Sequence, residues 1–143
     1  MTIDALVRRD VVVLSPTSSC QQAAALMRDR NVGCVVVVQE EEPVGIVTDR
    51  DLVTRSMAPG RDPARTLLQE IMSPSPIFLS QKRNLNDVVE TMRELGIRRL
   101  PVVDAQNRLK GIIAIDDVLI ELSHQLGALG VAIQRELGLP SPP

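Results

Sequence analysis

Gly45-Ile46-Val47-Thr48-Asp49-Arg50-Asp51-Leu52 returns later in the chain as Gly111-Ile112-Ile113-Ala114-Ile115-Asp116-Asp117-Val118, a shift of 66 positions (45 to 111). Internal self-similarity decides a fold before most other features do. Upstream, the two copies continue. Cys20, Ala23, Ala24 and Met27 fall at i, i+3, i+4 and i+7, the spacing of one helical stripe. Leu85, Val88, Val89 and Met92 repeat it 65 positions on (20 to 85). A short β-type run precedes each stripe, Val11 to Leu14 and Pro76-Ile77-Phe78-Leu79. Another follows each, Cys34 to Val38 and Leu100 to Val103. Polar turns, Gln39 to Pro43 and Asp104 to Arg108, join these to the opening stretches, and the growth of the shift from 65 to 66 makes the second turn one residue longer.

Each unit therefore reads strand, helix, strand, turn, strand, helix. Ser19 with Gln22, and Asn84 with Asp87, have the spacing of a reciprocal helix N-cap. A unit of ~60 residues has little core of its own, so two units packed face to face, burying each other's sheets, are expected. The reading is an α+β protein with a first repeat at residues 1–58, a linker at 59–68, a second repeat at 69–124, and a C-terminal helix and tail at 125–143. The Pro- and Gly-containing stretch Met57 to Pro63 reads as exposed, and Leu139 to Pro143 as a frayed end.

Composition narrows the function. Of 143 residues, 44% are hydrophobic, which suffices for a folded core, yet Phe78 is the only aromatic. The core must be aliphatic, and stacking on single-stranded bases is excluded as a main binding mode. Sixteen basic against eighteen acidic residues give a formal charge of −2, not the excess of a dedicated nucleic-acid binder. The run Val35 to Val38 is strand-sized, far short of a membrane span. Met1 to Asp4 shows no secretory signal pattern, and Cys20 with Cys34 make no disulfide framework, so a cytoplasmic protein is expected.

Two stretches besides the repeated one carry a family likeness: Arg98-Arg99-Leu100-Pro101-Val102-Val103-Asp104 and Ile71-Met72-Ser73-Pro74. Together they resemble a tandem pair of CBS domains, the cystathionine-beta-synthase-type regulatory module, over residues 5 to 123. One Gly-x-x-Thr-x-x-Asp would be a weak signal; two copies in register are a strong one. The resemblance implies two βαββα units related by a pseudo-twofold axis, and a non-enzymatic regulatory role. It also implies clefts between the repeats for AMP, ADP, ATP or S-adenosylmethionine, energy sensing, a homodimer, and a protein partner that reads a conformational change.

Carried over residue by residue, the first cleft takes Thr48, Arg50 and Asp51 from one repeat, with Ile77, Ile97, Arg98, Arg99, Leu100 and Pro101 from the other. Asp51 can accept bonds from both ribose hydroxyls, Thr48 can donate to a phosphate or ribose oxygen near a helix start, and the arginines match phosphate. Adenine would lie between aliphatic side chains. The second cleft takes Ala114 and Asp117, with Val12, Val32, Gly33, Cys34 and Val35. It departs from the pattern: Ala114 lacks the hydroxyl, Gly33-Cys34 stands for the arginine pair, and Asp116 stands where the first has Arg50. Weaker binding, a ligand without phosphates, or none is expected there.

Other readings stand beside these. Thr48 and Asp51 can cap the following helix, and strand alternation lets at most one of Arg98 and Arg99 point squarely at a shared cleft. A ligand-free interaction dimer is the alternative function. No metal or catalytic residue is assigned. Cys20, Cys34 and His124 lack metal-ligand spacing and the cysteines read as small buried hydrophobes. The lone His124 does not suit a triad. Asp49, Asp51, Asp116 and Asp117 are duplicated at equivalent points, which favours a binding or structural repeat over paired acids, and no P-loop is present. Along Asp117 to Leu137, the stripe Val118, Leu119, Leu122, Leu126, Leu129 and Ile133 either covers its own sheet or meets a second copy.

Overall fold

The computed structural model describes residues 3–74 and 79–140. A 3-10 turn at Ile3–Leu6 leads to β1 (Val13–Leu14), α1 (Cys20–Arg30), β2 (Cys34–Gln39) and β3 (Glu42–Thr48). A helix follows, α at first over Asp49–Asp51 (α2) and then π-wound over Leu52–Met57. The second half gives α3 (Leu68–Ile71), β4 (Ser73–Pro74), β5 (Leu79–Ser80), α4 (Leu85–Leu95), β6 (Arg99–Val103), β7 (Leu109–Ala114) and α5 (Ile115–Glu136).

The local chemistry explains these elements. Ser19 Oγ accepts the Gln22 N–H at 3.1 Å and Gln22 Oε1 accepts the Ser19 N–H at 2.8 Å, closing the box at the start of α1. Asn84 and Asp87 close the same box on α4, both bonds at 3.0 Å. The two helices end alike, on Asn31 and Gly96 in the left-handed region, φ 53° and 63°. Their buried stripe is narrower than the spacing predicts. Ala24 and Val89 are exposed in both copies, because a helix resting on one small sheet buries only its i, i+3 and i+7 line.

The strands also shift from expectation. Val11 and Val12 lie ahead of β1, while Glu42 and Pro43 join β3. The first turn shrinks to Glu40-Glu41, with φ of 51° and 69°, the twist that suits a two-residue hairpin. In both copies β-pairing is antiparallel with a bulge at the same place, between Val37 and Val38 and between Val102 and Val103. The first strand of each copy pairs parallel to the second.

Val35 and Val37 face the first core and Leu100 and Val102 the second, while Val36 and Pro101, on the opposite faces of the same strands, are fully buried as well. Each sheet carries a helix of its own repeat, and each core is completed from the opposite half of the chain. Leu68 and Ile71 join Cys20, Ala23, Met27, Val35 and Val47 in the first core. Ile3 and Leu6 join Val88, Met92, Leu100 and Ile113 in the second. Ile3 and Leu68 are equivalent under the 65-residue shift, as are Leu6 and Ile71. The strands that follow them cross in the same way: β4 pairs with β3 (Ile46 with Ser73), and Arg8 bridges Ile112 at the edge of β7. A reciprocal exchange of this kind is a twofold arrangement, the intrachain counterpart of an isologous contact. The packed units thus cut across division points at 58 and 69. Residues 3–8 belong spatially with the second unit, and 68–74 with the first.

Gly45 and Gly111 mark the two crossings. A methyl group at Gly45 would overlap the side chain of Met72, and one at Gly111 would overlap the carbonyl of Arg8 and the side chain of Val7. The linker between halves is exposed from Met57 to Gly60 but anchored further on. Pro63 and Thr66 carbonyls accept the Gln21 and Cys20 N–H groups of α1, at 3.0 and 2.9 Å. Of α5 only Val118 is buried. The rest of its apolar stripe stays exposed, so covering its own sheet is not its task. Among the described residues, no helix is long and apolar enough to cross a membrane.

The crossings predict an ordering of two substitutions. Gly111→Ala should destabilise by about 1–3 kcal/mol, the cost of overpacking against a fixed backbone carbonyl. Gly45→Ala should cost less, because Met72 is a flexible side chain that can move aside. Denaturant midpoints of the two variants check this; equal midpoints would contradict it.

Candidate functional site

β3, the start of α2, β4 and the lead into β6 converge on a cleft of about 550 Å³, within the range of small-molecule sites. Thr48, Arg50 and Asp51 form one wall; Ile97, Arg98, Arg99 and Pro101 form the opposite one. These seven expected residues meet in one place. Ile46, Asp49, Ser73, Pro74 and Leu95 join them, and the sequence reading did not assign them to this cleft. Ser73 and Pro74 arrive through the exchanged strand β4. Their signal was the Ile71 to Pro74 stretch, read as the opening of the second repeat and not as a wall of the first.

Leu100 is corrected: it is fully buried in the second core, because its neighbours Arg99 and Pro101 take the other face of the strand. Ile77 lies outside the described residues. Both arginines line the cleft, contrary to the alternation argument, because Arg98 precedes β6 and is not bound by strand geometry.

Thr48 and Asp51 do cap the helix. Asp51 Oδ2 accepts the Thr48 N–H at 2.8 Å, and Thr48 Oγ1 accepts the Asp51 N–H at 3.2 Å. The cap holds both side chains at the cleft wall and occupies one carboxylate oxygen. The other, Oδ1, has Arg55 Nε at 3.8 Å, too long for a hydrogen bond. Three guanidinium groups (Arg50, Arg98, Arg99) face two carboxylates (Asp49, Asp51) around this cleft. The balance favours an anion beside a hydroxyl-accepting carboxylate.

A second cleft, of about 240 Å³, lies at the equivalent place. Val12, Val32, Gly33, Cys34 and Ala114 line it as expected. Val35 is corrected for the same reason as Leu100: it is fully buried in the first core. Val11, Asn31 and Ile112 line it too, and its charged residues are Arg8, Asp10, Asp116 and Arg99, so opposite charges are balanced here. Asp117 does not line this cleft. Its carboxylate, 14% exposed, is gripped by Arg8, whose Nε donates to both oxygens at 3.1 and 2.9 Å and whose Nη2 donates at 2.6 Å. The hydrogen bonds to Asp117 hold the Arg8 guanidinium above its usual range. Arg98 spans the rim between the clefts, 3.5 Å from Asp116.

Cys34 sits in the second cleft beside charges of the first. Burial pushes its thiol up to about 11; Arg99 pulls it down, and Asp51 and Asp49 push it further up. It is a neutral, weakly acidic group at neutral pH, unsuited to nucleophilic or metal chemistry. Among the described residues, no three metal-ligating side chains cluster.

Comparisons with known proteins find the same repeat. The family model described as CBS domain matches twice, at residues 3–58 and 68–124. An uncharacterised protein of Methanopyrus kandleri is 38% identical over 120 residues, covering 83% of this chain but only 61% of that protein's own length. The CBS domain-containing protein YhcV of Bacillus subtilis is 40% identical over 110 residues, 77% of each chain. The structure of CBSX2 in complex with AMP superposes with a TM-score of 0.72 at 26% identity, covering 88% of this chain and 98% of that one.

The thiol gives a direct check. Thiolate is the reactive form, and a pKa near 11 leaves roughly 100-fold less of it at pH 8 than a pKa near 9. Alkylation of Cys34 in a Cys20→Ala background should therefore be slow at pH 8 and rise steeply towards pH 11, when followed by mass spectrometry.

Proposed function

This chain belongs to the CBS domain family, and on that premise we propose that it is a non-enzymatic regulatory module that binds an adenine nucleotide in its first cleft. The single observation carrying this reading is the convergence of Thr48, Asp51, Arg50, Arg98 and Arg99 on one 550 Å³ cleft with apolar walls. The uncapped oxygen of Asp51 accepts a ribose hydroxyl, the Thr48 hydroxyl donates to the ligand, and the arginines meet phosphate. Ile46, Ile97 and Pro101 offer aliphatic faces to the base. The relative solved with AMP supports this ligand class. The site joins β3 to the lead into β6, so a ligand there ties the two units together. A protein partner in the cytoplasm would read that change, and with AMP or ATP as the ligand the output is energy sensing. Coupling between ligand and partner must then be reciprocal.

A panel of AMP, ADP, ATP and S-adenosylmethionine in thermal unfolding tests the reading. A ligand at ~100-fold over its Kd stabilises by ~2.7 kcal/mol, which is roughly 5–10 °C for a chain of this size. At least one should produce that shift, and Asp51→Ala should abolish it relative to the variant's own unliganded midpoint. The absence of a shift with all four at millimolar concentration would leave the ligand-free interaction dimer.

We also propose that the protein is a homodimer joined through α5. Leu119, Leu122, Leu126, Leu129 and Ile133 are spaced 3, 4, 3, 4, the seam of a coiled coil, and they are 36% to 70% exposed. The positions flanking the seam, Ser123, Gln125, Gly130 and Ala132, carry no charge to oppose a second identical helix. Gly127 and Gly130 each weaken an isolated helix by about 1 kcal/mol, so packing against a partner supplies what the helix lacks alone. Sedimentation at micromolar concentration should give a dimer, and Leu126→Glu with Leu129→Glu should give a monomer. A monomeric wild type would sink the proposal.

A further inference from the structure

The two halves differ most where their equivalent carboxylates are held. Asp51, a residue of the first cleft's wall, is bound up in its own helix cap through Oδ2, and its Oδ1 has only Arg55 Nε near it, at 3.8 Å. Asp117 has no such cap, because Ala114 offers no hydroxyl to return the bond. Both Asp117 oxygens are taken by the forked guanidinium of Arg8. A carboxylate so engaged has no room for the paired hydroxyls of a ribose.

Arg8 is fixed in that place by the fold. Its N–H donates to the Ile112 carbonyl at 2.9 Å, and its carbonyl accepts the Ile112 N–H at 3.0 Å. These two bonds pin the exchanged segment to the strand that ends at Ala114. Under the 65-residue shift, Arg8 stands where the other half has Ser73 (8 to 73), and Ser73 bridges Ile46 in the equivalent register. Ser73 is too short to reach Asp51, and the first cleft stays open at 550 Å³. Arg8 reaches Asp117, and the second cleft narrows to 240 Å³. The side-chain difference at the crossing is therefore one of those that separate the two sites.

We propose that Arg8 is the selectivity residue of the pair: it occupies Asp117 in place of a ribose and closes the second cleft, so that the chain takes one adenosyl ligand and not two. This rests on the first-cleft reading above. Removing the guanidinium frees Asp117 and admits a nucleoside. That ligand would be uncharged at its 5′ end, because Asp10 and Asp116 line the cleft, Ala114 supplies no hydroxyl, and Arg99 alone remains to meet a phosphate.

Calorimetric titration with adenosine, which carries no phosphate, separates the possibilities. The full chain should bind one equivalent, Arg8→Met two, and Arg8→Met with Asp117→Ala one again. Two equivalents on the wild type, or no gain on Arg8→Met, would overturn the proposal. No binding of adenosine to the wild type with one equivalent on Arg8→Met would uphold the Arg8 closure, and the same wild type failing to bind AMP as well would sink the first-cleft reading. A second measurement stands if Arg8→Met fails to fold. In the wild type saturated with adenosine, the Arg8 Nε–H resonance should stay in place while the Thr48 and Asp51 amides move. Movement of the Arg8 resonance would refute the closure.

Discussion

The backbone of Arg8 lies on Gly111, and the side chain of Met72 lies on Gly45. Almost everything else in the molecule depends on those two close approaches. Each half has one small sheet and its helices, too little to close a core without the other half. Ile3 and Leu6 complete the second core, and Leu68 and Ile71 complete the first. The short strands behind them then lie where the clefts open. The same crossing that seals the hydrophobic interior therefore delivers Ser73 and Pro74 to one cleft and Arg8 to the other.

Duplication supplied two equivalent positions, and a few side chains made them unequal. Thr48 against Ala114, Arg50 against Asp116 and Ser73 against Arg8 all act in one direction. The first cleft keeps a capped, reachable carboxylate and three arginines. The second keeps balanced charge and a carboxylate tied within the chain. The Arg8–Asp117 contact is a bidentate pair on a nearly covered carboxylate, a geometry with more strength than an ordinary surface ion pair. Cys34, pushed up to about 11, adds no charge at neutral pH to this balance.

Much of this was legible in the residues. The helices and their starts follow from Ser19 with Gln22 and Asn84 with Asp87, because a cap is a local bond between near neighbours. The repeated strand, helix, hairpin order follows from the same stretch written twice, although the equal bulges in the two hairpins were not read from it. Seven of the residues assigned to the first cleft meet there, for the motif places chemistry-bearing types at a strand end. What was not legible is longer-ranged. Ile3 and Leu68 look alike to either sheet, so nothing local says which core each completes. Leu100 and Val35 were carried along with contiguous stretches, although a strand turns alternate residues inward. Arg8 stood outside any motif, and its partner lies 109 positions away. Ala24 and Val89 fit a helical stripe, but the small sheet beneath covers too little width to bury them.

The exchange also constrains the order of events during synthesis. Ile3 and Leu6 leave the ribosome more than a hundred residues before Ala114, the end of the sheet that receives them. The first sheet is complete by Thr48 but waits for Leu68 and Ile71 before it is sealed. The first unit can close once Ile71 is made, whereas the second must wait for β7 and Val118. Contacts this distant in sequence are slow to form, and exposed apolar segments invite aggregation in the interval. Ile3 and Leu6 therefore stay uncovered until Ala114 has been made, long after the first core has all of its residues.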